Sequence, residues 1–268
     1  MKSTRFFIIP ALILIVALRV SAASVLPAQL PPGVEPLVPE VIATYPHDPN
    51  AFTQGLLIDD GVFYESTGRR GQSTVREVAI ETGEVLRSRD VPPYFAEGLT
   101  LVDDRLIQLT WKDGIALIYD RETFAYEGAY FYLGEGWGLC YDGMSIYHSD
   151  GSQYITRRDP VTFEALDRIE VTYGGQPVNQ LNELECVDND IYANVWQTDF
   201  IVRIDKATGA INGLIDASQL LTPEQRPADG NGVLNGIAYD AENAVFYVTG
   251  KLWDRMFEVR FVPFVPAN

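Results

Sequence analysis

Apolar and polar residues alternate along short segments over most of the chain, in the period-two pattern that is typical of half-buried β-strands. Five segments begin alike, each with two or three similar residues followed by an alternating run and a turn. They are QGLLIDD at Gln54, EGLTLVD at Glu97, WGLCYDG at Trp137, NELECVD at Asn182 and NGIAYDA at Asn235. Thr-Gly, Asp-Gly and Asp-Pro turns separate the segments that follow. The pattern therefore predicts an internal repeat of short strands.

Each repeat is roughly 40 to 50 residues long and has room for about four strands, which is typical of one blade of a β-propeller. We therefore predict an all-β fold, a five-bladed β-propeller with four-stranded antiparallel blades. The last repeat has room for only about three strands. The segment Val41–Tyr45 precedes the first repeat and is the predicted outer strand of the last blade, where it would close the ring and cover a free sheet edge.

The N-terminal residues have the organisation of a secretory signal peptide. Lys2 and Arg5 are followed by an apolar stretch over residues 6–18 and by the small residues Val20-Ser21-Ala22. A membrane anchor is disfavoured because the apolar stretch is short and contains Pro10. We predict a signal peptide over 1–22, a Pro-rich linker over 23–40 and a single propeller domain over 41–268, exported to the periplasm or the extracellular space.

Charge and composition exclude several classes of function. The net charge is −17, which disfavours nucleic-acid binding because phosphate contacts need a basic surface. With two His and two Cys, the chain lacks the residues of the usual zinc sites. Cys140 and Cys186 fall at positions of opposite phase in their aligned strands, which favours free thiols.

The first position of each repeat should lie at the central axis of a propeller, where residues from different blades meet. It is filled in turn by Gln54, Glu97, Trp137, Asn182 and Asn235. A purely structural position would repeat one residue type, so this variety predicts a ligand site. The ends of the second strands add Trp111, Trp196 and Lys251 to the same rim.

The residue types at this rim suit proton transfer. Glu97 would be a carboxylate in an aromatic pocket, and burial raises the pKa of such a group towards neutrality. The same carboxylate among amides could instead hold a metal ion. His148 is a second candidate base, but it alternates as a strand residue in YHSDG, which favours a structural role.

The chain resembles the glutaminyl-peptide cyclotransferases of the plant and bacterial type. The matching segments run in order from Tyr45 to Trp253: YPHDPNAFTQGL, YESTG, FAEGLT, LTW, GEGWGLCYDG, SDGS, LNELE, YANVW, NGIAYD and TGKLW. The resemblance implies a five-bladed propeller that cyclises N-terminal Gln residues of peptides or proteins to pyroglutamate and releases ammonia. It implies no cofactor and no metal ion.

The resemblance also implies which residues form the site. Glu97 would be the central acid and base, and Lys251 would assist it by stabilising charge on the substrate's γ-carbonyl oxygen. Substrate would be bound by Phe52, Gln54, Phe95, Trp111, Trp137, Asn182 and Trp196. The expected partners are peptides or proteins with an N-terminal Gln, and a closed ring favours a monomer.

Two other functions remain open. The first is a calcium-dependent lactonase or esterase, in which Glu97, Asn182 and Asn235 would hold the metal ion. The second is a propeller that binds peptides without catalysis, because fold alone does not determine function. Chelator sensitivity would separate the first from a metal-free cyclase, and binding without turnover would identify the second.

Overall fold

The structure is a computed structural model that describes residues 30–266. The predicted signal peptide, residues 1–22, lies outside the described residues. Regular structure within them is almost entirely β-strand, which confirms the predicted all-β class, and the one helix among them is the short 3-10 turn Pro223–Gln225. Over residues 30–266 no helix has the length and apolar character needed to cross a membrane.

The strands follow one another through short turns. The first eleven are β1 Glu35–Pro46, β2 Thr53–Asp59, β3 Val62–Thr67, β4 Thr74–Ala79, β5 Val85–Asp90, β6 Ala96–Val102, β7 Arg105–Thr110, β8 Ile115–Asp120, β9 Tyr126–Phe131, β10 Leu139–Tyr141 and β11 Ile146–Ser149. The others are β12 Tyr154–Arg158, β13 Ala165–Glu170, β14 Thr172–Tyr173, β15 Gln176–Pro177, β16 Leu181–Val187, β17 Asp190–Val195, β18 Phe200–Asp205, β19 Ile211–Asp216, β20 Leu234–Asp240, β21 Val245–Gly250 and β22 Arg255–Pro263.

These strands form several four-stranded units with the repeat predicted from the sequence. The sheets β2-β3-β4-β5, β6-β7-β8-β9 and β10-β11-β12-β13 are separate, and an eight-stranded sheet has the order β16-β17-β18-β19-β1-β22-β21-β20. Burial falls from the first strand of a unit to the last, since β2 and β6 are mostly buried and β5 and β13 are mostly exposed. This gradient places the first strands at the centre of a propeller-like molecule.

The N-terminal strand pairs with the last strand of the chain, as predicted. In the antiparallel β1–β22 ladder, Val41 lies opposite Val259 and Tyr45 lies opposite Met256. The strand is longer than the sequence indicated, because it begins at Glu35 inside the predicted linker. Its first residues also make a three-residue parallel pairing with β19, which joins two four-stranded units into the eight-stranded sheet.

The hydrophobic core is divided into clusters that lie between neighbouring sheets. One cluster packs Leu57 and Val75 of the first sheet against Leu99 and Leu106 of the second. Further clusters join the units that follow, and one packs residues of β2–β4 against residues of β20–β22. Each sheet therefore buries both faces against its neighbours, which is why its inner strands are apolar on both sides.

The prediction of free thiols was wrong, because Cys140 and Cys186 form a disulfide with their Cα atoms 5.4 Å apart. The prediction treated the two strands as though they shared one sheet, in which residues of opposite phase point away from each other. In the structure β10 and β16 belong to different sheets that pack face to face. When two sheets pack face to face, the side chains that meet leave opposite faces of their own sheets. Residues of opposite phase in β10 and β16 therefore point towards each other, and the two sulfur atoms come together.

Candidate active site

The first position of the repeat lies where strand pairing is interrupted. In β2, β6, β16 and β20 the register with the next strand shifts at this position. The residues that consequently have no partner in the neighbouring strand include Gln54, Glu97, Asn182 and Asn235. A β-bulge leaves its residue unpaired and redirects the side chain, and bulges are common beside active sites. The bulges therefore explain how an inner strand can turn polar side chains away from the core.

The glycine after the first position allows the inner strands to approach closely. A Cβ atom added to Gly98 would lie 2.6 Å from the backbone nitrogen of Leu139. The backbone N–H of Gly98 donates a 2.7 Å hydrogen bond to the carbonyl oxygen of Trp137. Glu97 is thereby held directly beside the first position of the next repeat.

One cavity of about 270 Å³ collects the predicted site residues. All nine residues implied by the resemblance line it, together with one residue that the sequence did not indicate, Asn231. The nine are Phe52, Gln54, Phe95, Glu97, Trp111, Trp137, Asn182, Trp196 and Lys251. Four of the five first positions and the three second-strand ends Trp111, Trp196 and Lys251 therefore meet at this cavity, whereas the fifth first position, Asn235, does not line it.

Glu97 is nearly removed from solvent, with 5% of its surface exposed. Burial raises its pKa well above the ordinary value, the positive charge of Lys251 opposes that rise, and the negative charge of Glu135 adds to it. Burial and Glu135 therefore favour the protonated form of the Glu97 carboxyl group, while Lys251 favours its ionised form.

Lys251 is the cation of the cavity and is 3% exposed. Burial lowers its pKa to about 8, and the charge of Glu97 limits the decrease. Its ammonium nitrogen lies 5.0 Å from the centre of the Phe52 ring. The backbone N–H of Lys251 donates a 2.9 Å hydrogen bond to the carbonyl oxygen of Val233, which anchors the residue at the end of β21.

Aromatic rings form much of the cavity wall. Phe95 contacts Phe52 with ring centres 6.1 Å apart and Trp111 with ring centres 5.6 Å apart. Trp137 and Trp196 meet edge to face at 5.6 Å. These rings come from different repeats and enclose a compact, largely apolar space that would exclude water from a small substrate.

Amide groups provide the neutral polar contacts. Asn182 lines the cavity, and within residues 30–266 its buried Oδ1 has no hydrogen-bond donor. The Oε1 atom of Gln54 accepts a 3.4 Å hydrogen bond from Nδ2 of Asn235, and the same Nδ2 donates a 2.9 Å hydrogen bond to the carbonyl oxygen of Thr53. Asn235 is fully buried and is not among the cavity-lining residues, so it supports Gln54 from behind.

Two residues at or near the cavity were not predicted from the sequence. Asn231 lies in the long loop between β19 and β20, outside the repeat, so repeat phase could not indicate it. Glu135 precedes Trp137 by two residues in GEGWG, and its Oε2 accepts hydrogen bonds from the indole nitrogens of Trp111 and Trp137 at 2.7 and 3.0 Å. The sequence signal that could have indicated Glu135 is a carboxylate two residues before Trp137, the first residue of the third repeat.

His148 has the structural role that was predicted for it. Its Nδ1 accepts a 2.9 Å hydrogen bond from Nε of Arg158. Burial and the charge of Arg158 lower its pKa to about 3, so the imidazole is neutral. It lies among Tyr132 and Phe163 and is not a cavity-lining residue.

The donor set required by the calcium alternative is not assembled at the cavity. Glu97 and Asn182 line it, but Asn235 does not, and Lys251 places a cation there instead. In the described part of the chain, no three His, Cys, Asp or Glu side chains group together as a metal site would require.

A family model and two known proteins to which this chain is similar share one activity in their names. A family model described as glutamine cyclotransferase matches residues 11–261. A glutaminyl-peptide cyclotransferase of Arabidopsis thaliana is 41% identical over 226 residues, which cover 82% of this chain and 70% of that protein. The crystal structure of Myxococcus xanthus glutaminyl cyclase superposes with a TM-score of 0.82 and 40% identity, covering 87% of this chain and all of that one.

Proposed function

The chain belongs to the glutamine cyclotransferase family, and we propose that it cyclises N-terminal glutaminyl residues of peptides and proteins to pyroglutamate in the cavity around Glu97. The observation that carries the proposal is the meeting of nearly buried Glu97, Lys251 and the aromatic walls in one cavity of about 270 Å³.

The reaction needs no nucleophile from the protein. The α-amino nitrogen of the substrate attacks its own γ-carboxamide carbon, and a five-membered lactam forms. The bond between that carbon and the amide nitrogen breaks, and the nitrogen leaves as ammonia after gaining a proton. Because both reacting groups belong to one residue, the task of the protein is to hold a compact conformer in which they meet.

Glu97 is the proposed acid and base. As a carboxylate it takes a proton from the attacking amine, and as a carboxylic acid it delivers that proton to the departing nitrogen. A group that serves in both forms works best with a pKa near the operating pH. The burial of Glu97 raises its pKa in that direction.

Lys251 is the proposed electrostatic partner. Negative charge develops on the γ-carbonyl oxygen when the amine attacks, and a cation fixed in a water-excluded cavity stabilises that charge. With a pKa of about 8, Lys251 is mostly protonated at neutral pH. Water has little access to this charge, since only 3% of the surface of Lys251 is exposed.

The other lining residues are proposed to bind the substrate. Phe52, Phe95, Trp111, Trp137 and Trp196 would enclose the folded glutaminyl side chain and keep out water, which would otherwise hydrolyse the amide. Gln54 and Asn182 would hold its amide and the following peptide group. The unpartnered Oδ1 of Asn182 supports this role, because a substrate N–H would satisfy it.

We also propose that the fold is a closed ring of five blades. The eight-stranded sheet divides at the short β1–β19 contact into two four-stranded units, so that β1 completes the unit of β20–β22. The cluster that packs β2–β4 against β20–β22 supports closure between the last unit and the first. The single domain would then extend over residues 41–268, with β1 reaching back to Glu35, and the protein would act as a monomer.

Export is a further part of the proposal. The charged and apolar pattern of residues 1–22 supports cleavage of a signal peptide and release into the periplasm or the extracellular space. The Cys140–Cys186 disulfide also supports it, because such bonds persist in oxidising compartments.

The test of function is to incubate the purified protein with a Gln-initiated dipeptide and to measure ammonia and the pyroglutamyl product. We expect both products in equal amounts, unchanged by a chelator, and none from an Asn-initiated dipeptide, whose shorter side chain cannot form the five-membered lactam. Loss of turnover on chelation would favour a metal-dependent enzyme. Binding of the Gln dipeptide without either product would favour a non-catalytic propeller.

A further inference from the structure

The carboxylate of Glu135 connects Trp111 and Trp137, two residues of the aromatic wall whose rings are not in contact with each other. Ring contacts connect Phe52, Phe95 and Trp111 on one side, and Trp137 and Trp196 on the other. The carboxylate bridges the two groups, since its Oε2 accepts both indole N–H groups at 2.7 and 3.0 Å. One oxygen atom therefore links walls that are carried by two different sheets.

The position of Glu135 is determined by the backbone around it. The N–H of the next residue, Gly136, donates a 2.9 Å hydrogen bond to the carbonyl oxygen of Trp111. The hydroxyl of Tyr132 donates to the carbonyl oxygen of Thr110, and a Cβ atom on Gly136 would collide with that hydroxyl. The segment is thus tied to the end of β7, and the carboxylate is held where both indoles can reach it.

Glu135 is an anion at neutral pH. Burial by itself would raise its pKa, but the hydrogen bonds from Trp137 and Trp111 and the charge of Lys112 outweigh that effect and lower it. The Lys112 ammonium lies 3.4 Å from Oε1 of Glu135 and 4.0 Å from the centre of the Trp111 ring. Hydrogen bonds to an ionised acceptor are shorter and stronger than those between neutral groups.

We propose that Glu135 is a positioning residue for the cyclisation, which holds Trp111 and Trp137 at the separation that keeps the glutaminyl side chain folded onto its own amine. This inference rests on the proposed function. The charge of Glu135 has a second effect, because it adds to the rise in the pKa of Glu97. Glu135 does not need to touch the substrate for either effect.

The first experiment compares Glu135→Ala and Glu135→Gln with a control, Glu127→Ala, which removes an exposed carboxylate of β9. Misplacement by about 1 Å can cost about 100-fold in rate, so we expect Glu135→Ala to lower kcat/KM by about 10- to 100-fold. The Gln side chain retains an acceptor oxygen for the indoles, so Glu135→Gln should lose less than about tenfold. Glu127→Ala should leave kcat/KM unchanged.

The second experiment asks whether Glu135 acts through the indoles. In a Trp111→Phe background one of the two hydrogen bonds is already absent, so Glu135→Ala should cost several-fold less than it does in the wild type. Tryptophan emission should also change in Glu135→Ala, because two of the four indoles lose their partner. This spectroscopic change does not depend on turnover, so it tests the positioning even if the protein proves not to be a cyclase.

The third experiment uses the pH profile, which a purely structural role would not alter. Within residues 30–266, the ionisable groups that interact with Glu97 are Lys251, Glu135 and Tyr132. Glu135→Gln removes a negative charge that raises the pKa of Glu97, so the acidic limb of kcat/KM should move to lower pH. The proposal would be overturned if Glu135→Ala left kcat/KM or tryptophan emission unchanged. It would also be overturned if the losses from Trp111→Phe and Glu135→Ala simply added in the double variant, or if the acidic limb stayed in place in Glu135→Gln.

Discussion

Lys251→Met should nearly abolish turnover while leaving the fold intact. Lys251 is 3% exposed and lines the cavity that also contains Glu97, so water cannot replace its charge. Removal of one preorganised donor to a developing oxyanion typically costs about 10² to 10³ in kcat. We therefore expect kcat for a Gln-initiated dipeptide to fall at least about 100-fold, measured by continuous detection of ammonia.

The pH dependence separates this role from a loss of packing. Because the pKa of Lys251 is about 8, the wild-type rate should decline above that pH as the ammonium loses its proton. Lys251→Arg keeps a charge that does not titrate in this range, so it should retain part of the activity and lack the basic limb. Lys251→Met should also lack that limb, and its acidic limb should move to higher pH, because the charge that lowers the pKa of Glu97 is gone.

The substrate amine titrates with a pKa of about 8 in every one of these assays, so differences between variants report on the protein alone. Thermal melting of each variant provides the control for folding. Turnover of Lys251→Met equal to that of the wild type would refute the assigned role. A basic limb that persists unchanged in Lys251→Arg would show that a different group loses its proton near pH 8.

Two further predictions concern stability. Replacement of Cys140 and Cys186 by Ser should lower the free energy of unfolding by about 4 kcal/mol, because the disulfide closes a 46-residue separation and so restricts the unfolded chain. Urea unfolding measures this difference, and equal midpoints for the two proteins would contradict it. Glu65→Ala should lower it by about 3 to 5 kcal/mol, because the buried Arg76 loses an ion pair of 2.7 Å and the imidazole of His47 loses its partner at 3.0 Å. A Glu65→Ala protein as stable as the wild type in the same titration would contradict this second expectation.

The repeat made much of the site predictable. Residues such as Glu97 and Asn182 occupy the same phase in different repeats, and a ring of similar units brings such positions together at its centre. Likewise, the short last repeat indicated that an N-terminal strand would complete it, and the pairing of Val41 with Val259 confirms this. These inferences succeeded because they depend on period and symmetry, which a sequence displays directly.

Other features depend on how sheets pack, which periodicity does not show. The bulges that turn Gln54 and Glu97 into the cavity leave no pattern of their own in an alternating strand. The Cys140–Cys186 bond was missed because facing sheets bring opposite phases together. Asn231 comes from a loop outside the repeat, so only the folded chain shows that it lines the cavity.

The most direct test of the central claim is the turnover of Glu97→Gln. The substitution preserves size and hydrogen-bonding capacity but removes the group that would take and deliver the proton. We predict a protein that melts at the same temperature as the wild type, binds a Gln-initiated dipeptide and forms no pyroglutamyl product above the uncatalysed rate. A correctly folded Glu97→Gln protein that produces pyroglutamate as fast as the wild type would contradict the account.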